Sequence, residues 1–175
     1  YVMTAFGCNL EGPIPQERVL EDFRFVLRLC EEEQISVPIL VIADTMGWGN
    51  PEAVKRMVGA LRELAPEARI GMHIHDTRGL GIANFHAALT MGVDMFETSV
   101  AGLGGCPFAG HGHARAAGNV CTEDAVFLCQ ELGIETGIDL DKLVDAALKA
   151  EEIIGAPLMG RVMHSGGLDK FRKSQ

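Results

Sequence analysis

Gly71-Met72-His73-Ile74-His75-Asp76-Thr77 has the alternation of a β-strand running out at its C-terminal end. Successive side chains of a strand point to opposite faces. Ile70, Met72 and Ile74 therefore share one face, and Gly71, His73 and His75 the other. The apolar face can pack under helices. The two imidazoles project together, one step apart, which is how a strand offers two nitrogen ligands to one metal ion. An isolated His-x-His is read more simply as two separately hydrogen-bonded histidines in a polar interior. The rest of the chain shifts that balance.

Working outward, short apolar runs alternate with helical patterns. The opening Tyr1–Gly7 reads as the inside of a strand, followed by a turn through Asn9-Leu10-Glu11-Gly12-Pro13 and a helix over about Pro15–Glu33. A second strand, Pro38–Ala43, ends at Asp44. Asn50-Pro51 then opens a helix, a polar N-cap followed by proline at the first helical position. Val54, Met57, Val58, Leu61 and Leu64 recur along it at helical spacing. After the strand that ends at His75 comes a helix near Ile82–Met91 with Gly92 as its C′ residue. A fourth strand, Val93–Val100, runs into the glycine-rich Ala101–Gly105, and helices follow near Thr122–Leu132 and Leu140–Ile154. Asp139 opens the last of these and Gly155 closes it.

Four βα units predict an α/β fold of parallel strands with helical crossovers. A doubly wound open sheet and a barrel both fit. The barrel is favoured because Asp44, His75 and Ala101–Gly105 all fall at strand C-terminal ends, where barrel enzymes place their chemistry. No G-x-G-x-x-G turn follows the first strand, as a Rossmann reading would need. A complete barrel takes eight units and roughly 250 residues. Four units make half of one, so the 175 residues are expected to be a single incomplete TIM-barrel domain of a longer polypeptide.

The composition is that of a packed globular chain: 47% apolar and 22% charged residues. With 15 basic against 24 acidic side chains the net charge is −9, which disfavours nucleic acid or an anionic membrane as the main partner. No run reaches the apolar length of a membrane helix. Cys8, Cys30, Cys106, Cys121 and Cys129 show no paired spacing of a zinc site or a disulfide framework. Their odd number and the enzyme-like composition point to a reducing compartment, and the expected location is the cytoplasm, or the mitochondrion if the source is a eukaryote. Cys30 and Cys129 fall in amphipathic helical patterns and read as small core hydrophobes.

His73-Ile74-His75-Asp76-Thr77-Arg78-Gly79, Ala101-Gly102-Leu103-Gly104-Gly105-Cys106-Pro107-Phe108 and Gly118-Asn119-Val120-Cys121-Thr122-Glu123-Asp124 resemble the 3-hydroxy-3-methylglutaryl-CoA lyase family. So do Gly7-Cys8-Asn9-Leu10-Glu11-Gly12, Ala43-Asp44-Thr45-Met46-Gly47-Trp48-Gly49 and Gly133-Ile134-Glu135-Thr136-Gly137-Ile138-Asp139, in the same order. The resemblance implies strands five to eight of a TIM barrel, with the family's first four strands absent from this sequence. It implies cleavage of an acyl-CoA thioester to acetyl-CoA and acetoacetate with a divalent cation, Mg²⁺ or Mn²⁺, in an enzyme that is a homo-oligomer, a dimer, when intact. It implies metal ligation by His73, His75 and Asn119 and catalytic roles for Cys106, Asp44 and His73. The family's remaining protein ligand, an aspartate, and a neighbouring arginine would lie in the absent half.

The residue types suit that chemistry. Breaking a C–C bond beside a tertiary alcohol requires removal of the hydroxyl proton and stabilisation of an enolate. A cation can polarise the hydroxyl and carboxylate oxygens, an acid/base such as Asp44 can relay protons, and a thiol on a Gly-Gly hinge can close over the thioester. Asp44 has an alternative reading as a turn or helix-capping residue. One departure from the family is the longer segment 109–117, which adds His111, His113 and Arg115. Its plain reading is a solvated lid. Its sharper one is that these side chains contact the acyl-CoA, implying another substrate. His86 and His164 read as structural or solvent-facing. The rival functions are a Claisen-type synthase of the isopropylmalate or homocitrate type and a catalytically empty half-barrel that serves as a binding module. The synthases typically carry Asn-Asp after the His-x-His, whereas here Asp76 follows His75 directly.

Overall fold

A computed structural model of the chain describes residues 1–36, 39–106, 108–110 and 118–172. The chain divides into two compact units, Tyr1–Glu97 with Gly105–Ala117, and Thr98–Gly104 with Gly118–Gln175.

The first unit opens with a short antiparallel hairpin, β1 (Gly7–Cys8) and β2 (Gly12–Pro13), with Gly7 opposite Pro13 and Cys8 opposite Gly12. Helix α1 (Gln16–Glu32) buries Val19, Leu20 and Phe23. Next come β3 (Ile39–Asp44), α2 (Pro51–Leu64), β4 (Arg69–Ile74), α3 (Gly81–Thr90) and β5 (Met95–Glu97). β3, β4 and β5 form a parallel sheet in that order, as expected when helices make the crossovers. Asn50 caps α2 by accepting the Ala53 N–H at 3.0 Å, with Pro51 at the first helical position. Val54, Met57, Val58 and Leu61 of α2 are buried. So are Leu40, Ile42, Ile70, Met72 and Ile74 from one face of the sheet. Among the described residues, no helix is long and apolar enough to cross a membrane.

Two strand expectations need correction. The strand expected over Tyr1–Gly7 shrinks to one parallel bridge, Val2 to Ile42. Its bonds run from Val2 N–H to the Val41 carbonyl and from Ala43 N–H to the Val2 carbonyl, each 3.0 Å. Thr4 ends the run because its φ of 52° is left-handed, so its N–H leaves the ladder for the Thr45 hydroxyl at 2.9 Å. The strand expected over Val93–Val100 is only Met95–Glu97. The backbone of Ser99 pairs with the segment around Cys121, donating to the Val120 carbonyl at 3.0 Å and accepting from Thr122 N–H at 2.9 Å.

The second unit begins with a 3₁₀ turn, Val100–Gly102, and continues through α4 (Thr122–Glu131), α5 (Leu140–Ile154), α6 (Val162–Ser165) and α7 (Asp169–Arg172). Asp139 caps α5 by accepting the Lys142 N–H at 3.2 Å, and Gly155 closes the helix at φ 70°. Its core joins Val126, Leu140 and Val162, and separately Ala101, Ala147 and Met163.

Gly118 must be glycine. A Cβ there would stand 2.2 Å from the Gly102 carbonyl oxygen and 2.6 Å from that of Gly104, and neither backbone atom can yield. The Gly-Asn motif is therefore a close backbone crossing over the glycine loop. Gly118→Ala is expected to destabilise the protein by at least about 1–3 kcal/mol through this overlap, measured as a lower midpoint of urea unfolding.

Candidate functional site

Register builds the site. Ala43 lies beside His73 on β3 and β4, and His73 lies beside Glu97 on β4 and β5. His73, Glu97 and, by alternation, His75 thus project from one face at the C-terminal end of the sheet. The Nδ1 of His73 is 3.0 Å from Glu97 Oε2. A carboxylate only accepts, so Nδ1 carries the proton and donates it. That tautomer leaves a lone pair on His73 Nε2, which accepts the Nε2–H of His75 at 3.0 Å. The Tyr1 hydroxyl donates to the other oxygen of Glu97. That hydrogen bond is the main reason the Tyr1 phenol is pushed above its usual range.

His75 is buried, and its Nδ1 has no hydrogen-bond partner among the described residues. Burial, with the neighbouring His73 imidazole adding to it, lowers its pKa to about 4. The ring is neutral at pH 7, the form that binds metal. Two nitrogens bound at about 2.1 Å and at right angles to one ion stand roughly 3.0 Å apart. The two Nε2 atoms are hydrogen-bonded here, and their 3.0 Å separation is also the spacing that two ligands of one divalent cation would have. Among the described residues no three His, Cys, Asp or Glu side chains converge as a complete metal site. The pair is a partial donor set.

Asn119 belongs to the second unit. Its Nδ2 donates to the Leu103 carbonyl at 3.0 Å, while its Oδ1 is buried without a partner among the described residues. A free amide oxygen is the atom an oxygen-seeking cation would take.

Asp44 sits beside Ile74 in the ladder, on the face opposite Ala43 and His73. Its carboxylate accepts the N–H groups of Trp48 at 2.8 Å and Gly49 at 2.9 Å. Burial pushes its pKa up against those bonds and the nearby Arg78 charge. This geometry holds the turn after β3, the alternative that its strand-end position left open. The same turn is fastened from two further elements. Asn84 donates to the Gly49 carbonyl at 3.0 Å, and Arg78 to the Met46 carbonyl at 2.8 Å with its guanidinium over the Trp48 ring.

Cys106 is half-buried against Cys8, Met46, Ala109 and Trp48. Its loop is tied down by Asn9, whose Nδ2 donates to the Phe108 carbonyl at 2.8 Å while its Oδ1 accepts from Trp48 Nε1 at 2.8 Å. Gly104 and Gly105 have φ values of 87° and 127°, conformations in which glycine is favoured. Pro107 and the segment with His111, His113 and Arg115 lie outside the described residues. His86 is solvent-facing, and His164 is bonded to the Gly160 carbonyl and Glu151.

Two acidic residues take roles that the sequence did not assign to them. Glu97 was signalled only by alternation through Met95 and Glu97 at the end of an apolar run. Glu123 is fully buried and accepts the Ala101 N–H at 3.0 Å, holding a non-glycine residue at φ 56°, and burial raises its carboxyl pKa. Its position at the first turn of a helix, next to a glycine motif, was the available hint.

The fold and this site define an α/β protein of parallel βα units with paired histidines at a strand end. A family model described as HMGL-like matches residues 3–149, and the chain belongs to that family. It is 39% identical over 162 residues to hydroxymethylglutaryl-CoA lyase YngG of Bacillus subtilis, covering 92% of this chain and 50% of that protein. It is 42% identical over 147 residues to the mitochondrial hydroxymethylglutaryl-CoA lyase of Homo sapiens, covering 83% of this chain and 42% of that protein. The structure of an HMG-CoA lyase from Acinetobacter baumannii, in complex with coenzyme A and 3-methylmalate, superposes with a TM-score of 0.81 at 38% identity. That match covers 96% of this chain and 52% of the other. The chain thus spans about half the length of the relatives it matches.

Proposed function

We propose that this chain is part of a divalent-cation-dependent carbon–carbon lyase that cleaves 3-hydroxy-3-methylglutaryl-CoA, or a related 3-hydroxyacyl-CoA, to acetyl-CoA and acetoacetate. It supplies strands five to eight of a TIM barrel as one incomplete domain, and the intact enzyme is a homodimer. The observation that carries the reading is the pair of imidazole nitrogens 3.0 Å apart at a strand end in a chain about 40% identical to such lyases. The solved relative bound to coenzyme A supports an acyl-CoA substrate.

In this proposal His73, His75 and Asn119 are the residues that hold the cation, Mg²⁺ or Mn²⁺. Asn119 enters on its motif and its free Oδ1. When bound, a divalent cation supplies polarisation of the substrate's hydroxyl and carboxylate oxygens. Catalytic roles fall to His73, to Asp44 as a proton relay, and to Cys106 as the acid that protonates the acetyl-CoA carbanion after the C–C bond breaks. Asp44 accepts one N–H on each oxygen, from Trp48 and Gly49, and a relayed proton would take a remaining lone pair. The compartment proposed is the cytoplasm, or the mitochondrion in a eukaryote.

The test is an assay of the intact protein with 3-hydroxy-3-methylglutaryl-CoA and Mn²⁺. Acetoacetate and acetyl-CoA should appear in equal amounts, and chelation should abolish both. Consumption of acetyl-CoA with a 2-oxo acid instead would favour the synthase reading.

A further inference from the structure

We propose that Glu97 is a positioning residue that fixes the tautomer and ring orientation of His73, so that its Nε2 lone pair is presented to a divalent cation. The inference rests on the cation reading above and deepens it. Neutral imidazole has two tautomers, and only the one protonated on Nδ1 leaves Nε2 free to bind metal. Left alone, nothing on the ring selects it. Here Glu97 accepts from Nδ1 at 3.0 Å, and adjacent register on β4 and β5 brings the two side chains onto one face. The carboxylate is itself held, because the Tyr1 hydroxyl donates to its other oxygen. The His75 ring has no such partner, since its Nδ1 is orphaned among the described residues. The two histidines are therefore unequal: Glu97 sets the His73 ring, whereas the His75 ring donates its Nε2 proton to the His73 lone pair at 3.0 Å and must shift that proton to its orphaned Nδ1 before its Nε2 can ligate. An outer carboxylate on a ligating histidine also raises its basicity, and losing such a partner typically costs 10–100-fold in metal affinity.

The test uses the intact protein with ¹⁵N-labelled histidine and two variants, Glu97→Leu and Glu97→Gln. In the metal-free wild type, His73 Nδ1 should give a pyrrole-type ¹⁵N resonance and Nε2 a pyridine-type one. Glu97→Leu removes the acceptor and should exchange the two, while Mn²⁺ affinity falls about 10–100-fold. Glu97→Gln keeps a carbonyl oxygen that can accept from Nδ1 and should retain the wild-type tautomer, with an intermediate loss of affinity. Packing alone would move neither resonance. A folded Glu97→Leu protein that kept the wild-type tautomer, or that exchanged it with unchanged Mn²⁺ affinity, would overturn the inference. Should Glu97→Leu not fold, Glu97→Ala takes its place with the same two readouts, and an unchanged tautomer or an unchanged Mn²⁺ affinity in that variant would sink the proposal. A wild type that bound no Mn²⁺ at the pair would remove the cation reading itself. The resonances of the metal-free protein separate that failure from a failure of Glu97 to set the ring.

Discussion

In the intact protein, His75→Ala should weaken Mn²⁺ binding by at least about 100-fold, more than the loss typical of an outer partner. The buried ring offers a neutral nitrogen 3.0 Å from its neighbour's, and removing it leaves one imidazole where two converge. Turnover at a fixed, subsaturating Mn²⁺ concentration should fall in parallel, because polarisation by the ion would lower the barrier by several kcal/mol. Excess Mn²⁺ should restore part of it. The fold also loses a buried side chain, so unfolding without metal should be easier by roughly 1–3 kcal/mol. Counting free Mn²⁺ by electron paramagnetic resonance separates the two effects. A folded variant with wild-type affinity would exclude His75 from the ligand set.

Cys106→Ser is expected to lower kcat by about 10²–10⁴, the range for removing a positioned acid, while leaving Mn²⁺ and acyl-CoA binding close to wild type. A hydroxyl is a far weaker acid than a thiol and so a far poorer proton donor to a carbanion. It occupies nearly the same place beside Cys8, Met46 and Ala109. The contrast of lost kcat with retained binding marks an interaction made only in the transition state. Bound acyl-CoA should also slow alkylation of Cys106 in the wild type. A serine variant of normal turnover, or an alkylation rate indifferent to ligand, would make Cys106 a bystander.

What could be read from the sequence was whatever a local rule controls. The buried Ile70, Met72 and Ile74 and the opposed His73 and His75 follow from alternation. The caps at Asn50, Asp139 and Gly155 follow from orphaned helix-end groups. Cys129 is buried as its helical pattern required, while Cys30 is half-buried. Thr4 could not be read, because a left-handed threonine has no sequence signature and is held by a partner 41 positions away. Glu97 required the register between β4 and β5, which neither strand specifies alone. Asp44 was visible as a strand-end carboxylate, but a turn-holder and a proton relay occupy the same place in a sequence. Only the Trp48 and Gly49 N–H groups show what its oxygens hold.

Asn9 carries no chemistry of its own, yet it joins the Trp48 indole to the Phe108 carbonyl, two residues beyond the thiol. A single hydrogen bond of this kind is worth about 0.5–1.5 kcal/mol net. Removing that side chain takes away both bonds at once, the one from the indole and the one to the Phe108 carbonyl. The placing of the thiol thus depends in part on the turn after β1, through a side chain that need never meet a substrate.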